Sequence, residues 1–136
     1  MSRPRVALAL AALTLSAAAC TVNSRLNQID DEYAEIVDLV CSCPMTIADC
    51  ESYFQSPFSF VDRSCLEDAL ATDKAASKET LDCMLDVIKD YRKCVDDNFQ
   101  CDDPNSSQAC VVDVTACPQL PEAVQTEINA CGDGGE

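Results

Sequence analysis

A chain of 136 residues with 24 acidic and nine basic side chains carries a formal charge of −15 and contains neither histidine nor tryptophan. The acidic excess excludes nucleic acid as a partner, because phosphate contacts need clustered Lys and Arg, and the missing histidine excludes His-based triads, His–carboxylate zinc sites and most haem ligation. All three glycines stand at 132, 134 and 135, so the body of the chain has no phosphate-cradling loop and lacks the residues that tight hairpins prefer, which points to an all-helical domain.

The first stretch sets the compartment. Arg3 and Arg5 precede an apolar run, Val6 to Leu15, and the small residues Ser16 to Ala19 lead to Cys20. This is the layout of an export signal. The run is too short for a bilayer span, which takes ~20 residues. Ordinary signal peptidase would accept Ala17-x-Ala19 and leave Cys20 as a thiol. The sequence Leu15-Ser16-Ala17-Ala18-Ala19-Cys20 also resembles the lipobox of bacterial lipoproteins. That resemblance covers the first twenty residues. It implies acylation of Cys20 (diacylglyceryl and an N-linked chain such as palmitate) and a lipid anchor in the cell envelope. Thr21, where an Asp would imply inner-membrane retention, points to the outer membrane.

Cysteine parity favours the lipoprotein over plain secretion. The chain has 11 cysteines; once Cys20 carries lipid, the other ten are enough for five bridges. Removing residues 1–19 leaves 117 residues and takes Arg3 and Arg5 with it, so the charge becomes −17. The expected organisation is a signal over 1–19, a disulfide-rich helical domain over 20–131 and a disordered tail over 132–136.

Asn23 and Ser24 are candidate N-caps for a first helix. Leu26, Ile29, Tyr33, Ile36 and Val40 follow at spacings of three and four, a single apolar stripe. The helix should end near Cys41, because Pro44 disfavours helix at Cys43. Thr46-x-x-Asp49 would cap a short helix through Cys50 to Tyr53. Tyr53, Phe54, Phe58 and Phe60 cluster around Pro57, as a core plug or a partner patch. Asp62 or Ser64 opens the next helix, with Leu66 and Leu70, together with Cys65 and Ala69, on its inner face. Thr72 to Lys78 reads as a polar break. Ser77 then caps a long helix to Phe99, its buried stripe marked by Leu81, Met84, Leu85, Ile88, Tyr91 and Val95. Residues 107–116 are expected to be helical, although Val111-Val112-Asp113-Val114-Thr115 has strand-like composition. Pro121 suits the first turn of a last helix, with Val124, Ile128 and Cys131 on one side. The expected fold is therefore all-α: a bundle of four to five short helices stapled by disulfides.

At this cysteine density an exported chain is held by bridges. A turn near Asp73–Ala75 would set Cys65 opposite Cys83, and one near Asp102 would set Cys94 opposite Cys110. Cys41, Cys43, Cys50, Cys101, Cys117 and Cys131 would form the other three bridges, with connectivity open. Sharper chemistries are weak. Cys41-Ser42-Cys43 is a CxC without a redox context. The run Asp96-x-Asn98-x-Gln100-x-Asp102 mimics half a calcium loop but has Cys101 in place of its Gly and Ser107 in place of its bidentate Glu. The carboxylate pairs Asp96/Asp97 and Asp102/Asp103 are adjacent in sequence rather than facing. The pattern has neither the adjacent Cys-Cys of plant lipid-transfer proteins nor the spacings of saposins.

The expectation is a non-enzyme without catalytic residues, metal or cofactor. It would be a monomeric, acidic envelope lipoprotein, anchored to the membrane through Cys20 and serving an interaction or accessory role with a protein partner. The alternative is a binder of a small apolar ligand held between helices, near Phe58, Phe60 and Met84.

Overall fold

The computed structural model describes residues 17–44, 48–103 and 105–132, with side chains from residue 22 onward and Tyr53 excepted. Most of the expected signal, Thr46 of the expected cap and residues 133–136 of the expected tail lie outside the described residues. Among the described residues five helices follow one another: α1 (Ala17–Cys41), α2 (Cys50–Tyr53), α3 (Arg63–Ala71), α4 (Lys74–Asn98) and α5 (Glu122–Gly132). No strand is present among the described residues. The molecule is an all-α, disulfide-stapled bundle.

The two 25-residue helices, α1 and α4, form the largest helix–helix interface. They run parallel. Arg25 of α1 meets Asp82 of α4 at 2.5 Å, and further along Glu32 meets Arg92 at 2.5 Å. The sequence stripes supply the core between them. Leu26 and Ile29 are fully buried, as are Leu81 and Ile88, with Ile36, Leu85 and Val95 nearly so. Tyr33, Val40, Met84 and Tyr91 pack at its margin. Burial, and then the neighbouring Tyr91, push the Tyr33 phenol above its ordinary pKa.

The parallel arrangement needs a return path, which α2, the aromatic loop and α3 provide. Arg63, at the start of α3, donates to Asp30 at 3.0 Å and to Asn27 at 2.6 Å on α1, and to Glu67 on its own helix at 3.1 Å. Asp62 caps α3, accepting from the Cys65 amide at 2.9 Å. Leu66 and Leu70 enter the core and Phe58 packs against it, whereas Phe54 and Phe60 stay exposed. Of the three described phenylalanines in the aromatic loop, then, one plugs the core.

The break between α3 and α4 is shorter than expected, only Thr72 and Asp73. Asp73 is the N-cap of α4, accepting from Ala76 N at 3.1 Å. Ser77 is not a cap. It lies inside the helix, completely buried, and donates to the Leu70 carbonyl at 2.8 Å. It thus satisfies one of the carbonyls left unpaired at the end of α3. Asn23 and Ser24 likewise lie within α1 rather than at its start: Asn23 accepts from Arg63 and Ser24 from Gln28.

After α4 the chain returns alongside it without a helix. Residues 107–116, expected to be helical, form turns and irregular chain. The α5 helix then packs on α3, contributing the fully buried Val124. It extends to Gly132, so the expected tail begins inside a helix.

Basic side chains are few and mostly committed to ion pairs at the surface. Beyond Cys20 there are seven, and Arg25, Arg63, Lys78, Arg92 and Lys93 sit in ion pairs. Asp82 is the densest junction. Its Oδ1 is shielded from water with Arg25 against it, and Lys78 donates to its Oδ2. The Lys78 hydrogen bond, and after it the Arg25 contact, hold the Asp82 carboxyl below its ordinary pKa against partial burial. A carboxylate lowered in the folded state stabilises above its unfolded pKa of about 3.9 and ceases to do so as pH falls through the folded value. Asp82→Asn should therefore lower the melting temperature at neutral pH. The gap to the parent should close as thermal melts are taken below about pH 4; a gap unchanged by acid would mean the ion pairs contribute nothing.

Candidate functional site

The ten cysteines from Cys41 onward form five pairs. Cys41 joins Cys50, and Cys43 joins Cys101, closing the end of the bundle where α1 and α4 terminate. Cys94 joins Cys110 across the Asp102 loop, the bridge anticipated from that loop. The anticipated Cys65–Cys83 bridge does not form: Cys65 joins Cys131, and Cys83 joins Cys117. Helix faces explain the difference. Cys65 on α3 and Thr72, the residue that caps its C-terminus, are a heptad apart and look toward α5, where Thr72 donates to Glu127 at 2.6 Å. Cys83 shares a face with Thr80, which donates to the Pro118 carbonyl at 3.0 Å. The face of α4 that meets α3 carries Ser77 instead.

The Cys83–Cys117 and Cys94–Cys110 pairs also explain why residues 107–116 are not helical. Their anchor points on α4 are eleven residues apart, roughly 16 Å of helix. Seven residue steps coiled as a helix would cover only about 10 Å. The chain must be drawn out to reach both sulfurs. Val111, at 74% exposure, and Val112 and Val114, each at 38%, are left on the surface. Among the described residues, the amides of Val111, Val112, Asp113 and Val114 donate to no protein group. The Asp113 carboxylate accepts from the Thr115 hydroxyl at 2.5 Å and its amide at 3.0 Å, and these bonds hold it below the ordinary range. The valine run in the sequence was the one legible sign of this segment.

Two of the grooves open to solvent lie among the described residues. One, of about 530 Å³, is lined by Asn27, Asp30, Ser56, Phe58, Ser59, Val61 and Arg63. Ser56 donates to Asp30 at 2.6 Å across it. Of Phe58, Phe60 and Met84, only Phe58 lines it. Arg63, which no sequence pattern singled out, is its organising side chain, with its guanidinium committed to Asp30, Asn27 and Glu67. The other groove, of about 360 Å³, places Glu35, Asp38 and Asp96 around Arg92. Its Glu32 hydrogen bond first, then the surrounding acids, raise the Arg92 pKa. Among the described residues no group of three or more Cys, Asp or Glu could hold a metal ion, and no helix is long and apolar enough to cross a membrane.

Fold and staples define a class: a small, acidic, all-helical domain locked by five bridges. The chain matches no protein-family model, no curated protein and no solved structure.

Proposed function

We propose that this chain is an exported bacterial lipoprotein, held to the envelope by acyl groups on Cys20, whose acidic bundle serves a non-enzymatic interaction or accessory role, with sorting to the outer membrane. The observation that carries the reading is the arithmetic of sulfur. Five bridges take ten of the 11 cysteines, and Cys20 is the one outside them. Bridges of this density belong to oxidising compartments, which agrees with an export signal before Cys20.

The core begins close to that residue. Val22 and Leu26 are buried in the bundle, so with residues 1–19 removed the anchor would join the folded domain without a long tether. The domain would sit close against the bilayer, and its charge of −17 would keep it from adhering to anionic headgroups. Several acyl chains, at ~0.8 kcal/mol per buried CH₂, would make the attachment durable.

Cys20→Ser should move the protein from the membrane fraction entirely to the soluble one. Intact mass of the parent should exceed the cleaved polypeptide by diacylglyceryl plus one acyl chain, less ten hydrogens for five bridges. A parent that is soluble, with a titratable thiol at Cys20, would instead mean plain secretion.

A further inference from the structure

We propose that the stapled segment from Cys110 to Cys117 is a docking edge, to which an extended, cationic stretch of a partner protein adds as a strand. This gives the interaction role proposed above a surface and a kind of partner; it rests on that role and not on the anchor.

Three features of the segment make it a template. Its amides are available: four in a row, from Val111 to Val114, have no protein acceptor among the described residues, and of the carbonyls only that of Val114 is taken, accepting from the Cys117 amide at 3.1 Å. An exposed run of unpaired backbone groups is what strand addition uses. Its three valines, Val111, Val112 and Val114, are β-branched, apolar and exposed. Alternation along a strand puts Val112 and Val114 on one side and Val111 with Asp113 on the other. Finally, the segment is fixed before any partner arrives. Cys94–Cys110 and Cys83–Cys117 hold its ends to α4 with Cα atoms 5.7 and 5.6 Å apart. An edge ordered in advance loses little conformational freedom on binding.

Charge decides what occupies it. Asp86 and Asp90 share the face of α4 that carries Cys83 and Cys94, at spacings of three and four. Both are exposed, and neither is in an ion pair among the described residues. Asp113 adds a third carboxylate within the segment. A second copy pairing edge to edge would bring these acids against their own images, which is destabilising. A partner strand alternating apolar residues with Lys or Arg would place its cations beside them.

The test uses the full exported protein with its five bridges intact, whether or not Cys20 is acylated. The probe is a nine-residue peptide alternating Val and Lys. Binding should be one to one, should weaken as salt rises, and should shift the amide resonances of Val111 to Val114 most. N-methylating the peptide amides on its pairing side should weaken it about tenfold, the equivalent of one or two hydrogen bonds. Val111→Lys with Asp113→Lys should weaken it at least as much; both sites are exposed, and an unchanged helical spectrum and unchanged bridges would show the variant folds. The proposal is overturned if the peptide does not bind, if N-methylation has no effect (charge attraction alone), if the shifts lie elsewhere, or if the protein dimerises through this edge.

Discussion

Reduction of the five bridges is expected to unfold the bundle, not merely loosen it. Each bridge stabilises by about 2–4 kcal/mol, and a domain of this size has about 5–15 kcal/mol in total. The apolar core is thin: among the described residues, and apart from cysteines, its buried hydrophobic side chains number about a dozen, and the net charge of −15 works against compaction. Helical circular dichroism should be lost on reduction at a temperature where the oxidised protein is fully folded. Retention of a cooperative melt after reduction would show that the helices hold without their staples.

The bridges should also rank. Cys41–Cys50 closes nine residues, and removing it should cost about 2.5 kcal/mol on loop-closure entropy. Cys65–Cys131 spans 66 residues, although Cys83–Cys117 already closes part of that ring; its loss should cost about 3.5–4 kcal/mol. It should also act locally. Val124 is the one fully buried side chain of α5, so without Cys131 the C-terminal half of α5 keeps only the half-buried Ile128 against the core and the hydrogen bond from Thr72 to Glu127. Paired serine substitutions at Cys65 and Cys131 should therefore release amide protection in α5 first, read by hydrogen exchange, before the global denaturation midpoint is reached.

What was legible in the sequence follows from what each pattern encodes. Period-3.6 stripes encode burial, so Leu26, Ile29, Leu81 and Ile88 are readable as core from their spacing alone. Helix ends were less legible, because Ser, Asn and Asp serve equally as caps and as interior groups. Ser77 resembled a cap, and only the two-residue turn before α4 makes it a buried donor to Leu70. Bridge partners were legible only where a single loop fixed them, as for Cys94 and Cys110. Cys65 misled because a hairpin sets heights along two helices but not the faces they present. The stapled edge was hidden for a related reason: its conformation is imposed by sulfurs at both ends, while its own residues suit helix and strand alike.

Leu26→Ala should be among the most damaging single changes outside the cysteines, at about 3 kcal/mol. Leu26 is completely buried between α1 and its neighbours, in the turn that leads from Cys20 into the core. Removing three carbons there loses the transfer energy and leaves a cavity, and such truncations cost about 2–5 kcal/mol. The neighbouring residue provides the control. Arg25 forms an ion pair with Asp82, yet both side chains are about a third exposed. Pairs of that kind are worth about 0–1 kcal/mol, so Arg25→Ala should shift the urea midpoint by a small fraction of what Leu26→Ala does. The slope of the denaturation curve should stay the same in both, since neither change alters the surface exposed on unfolding much. If Arg25→Ala proved the more destabilising, the bundle would be held chiefly by its few ion pairs, and salt, which screens them, would lower its stability instead of raising it by relieving the acidic surface.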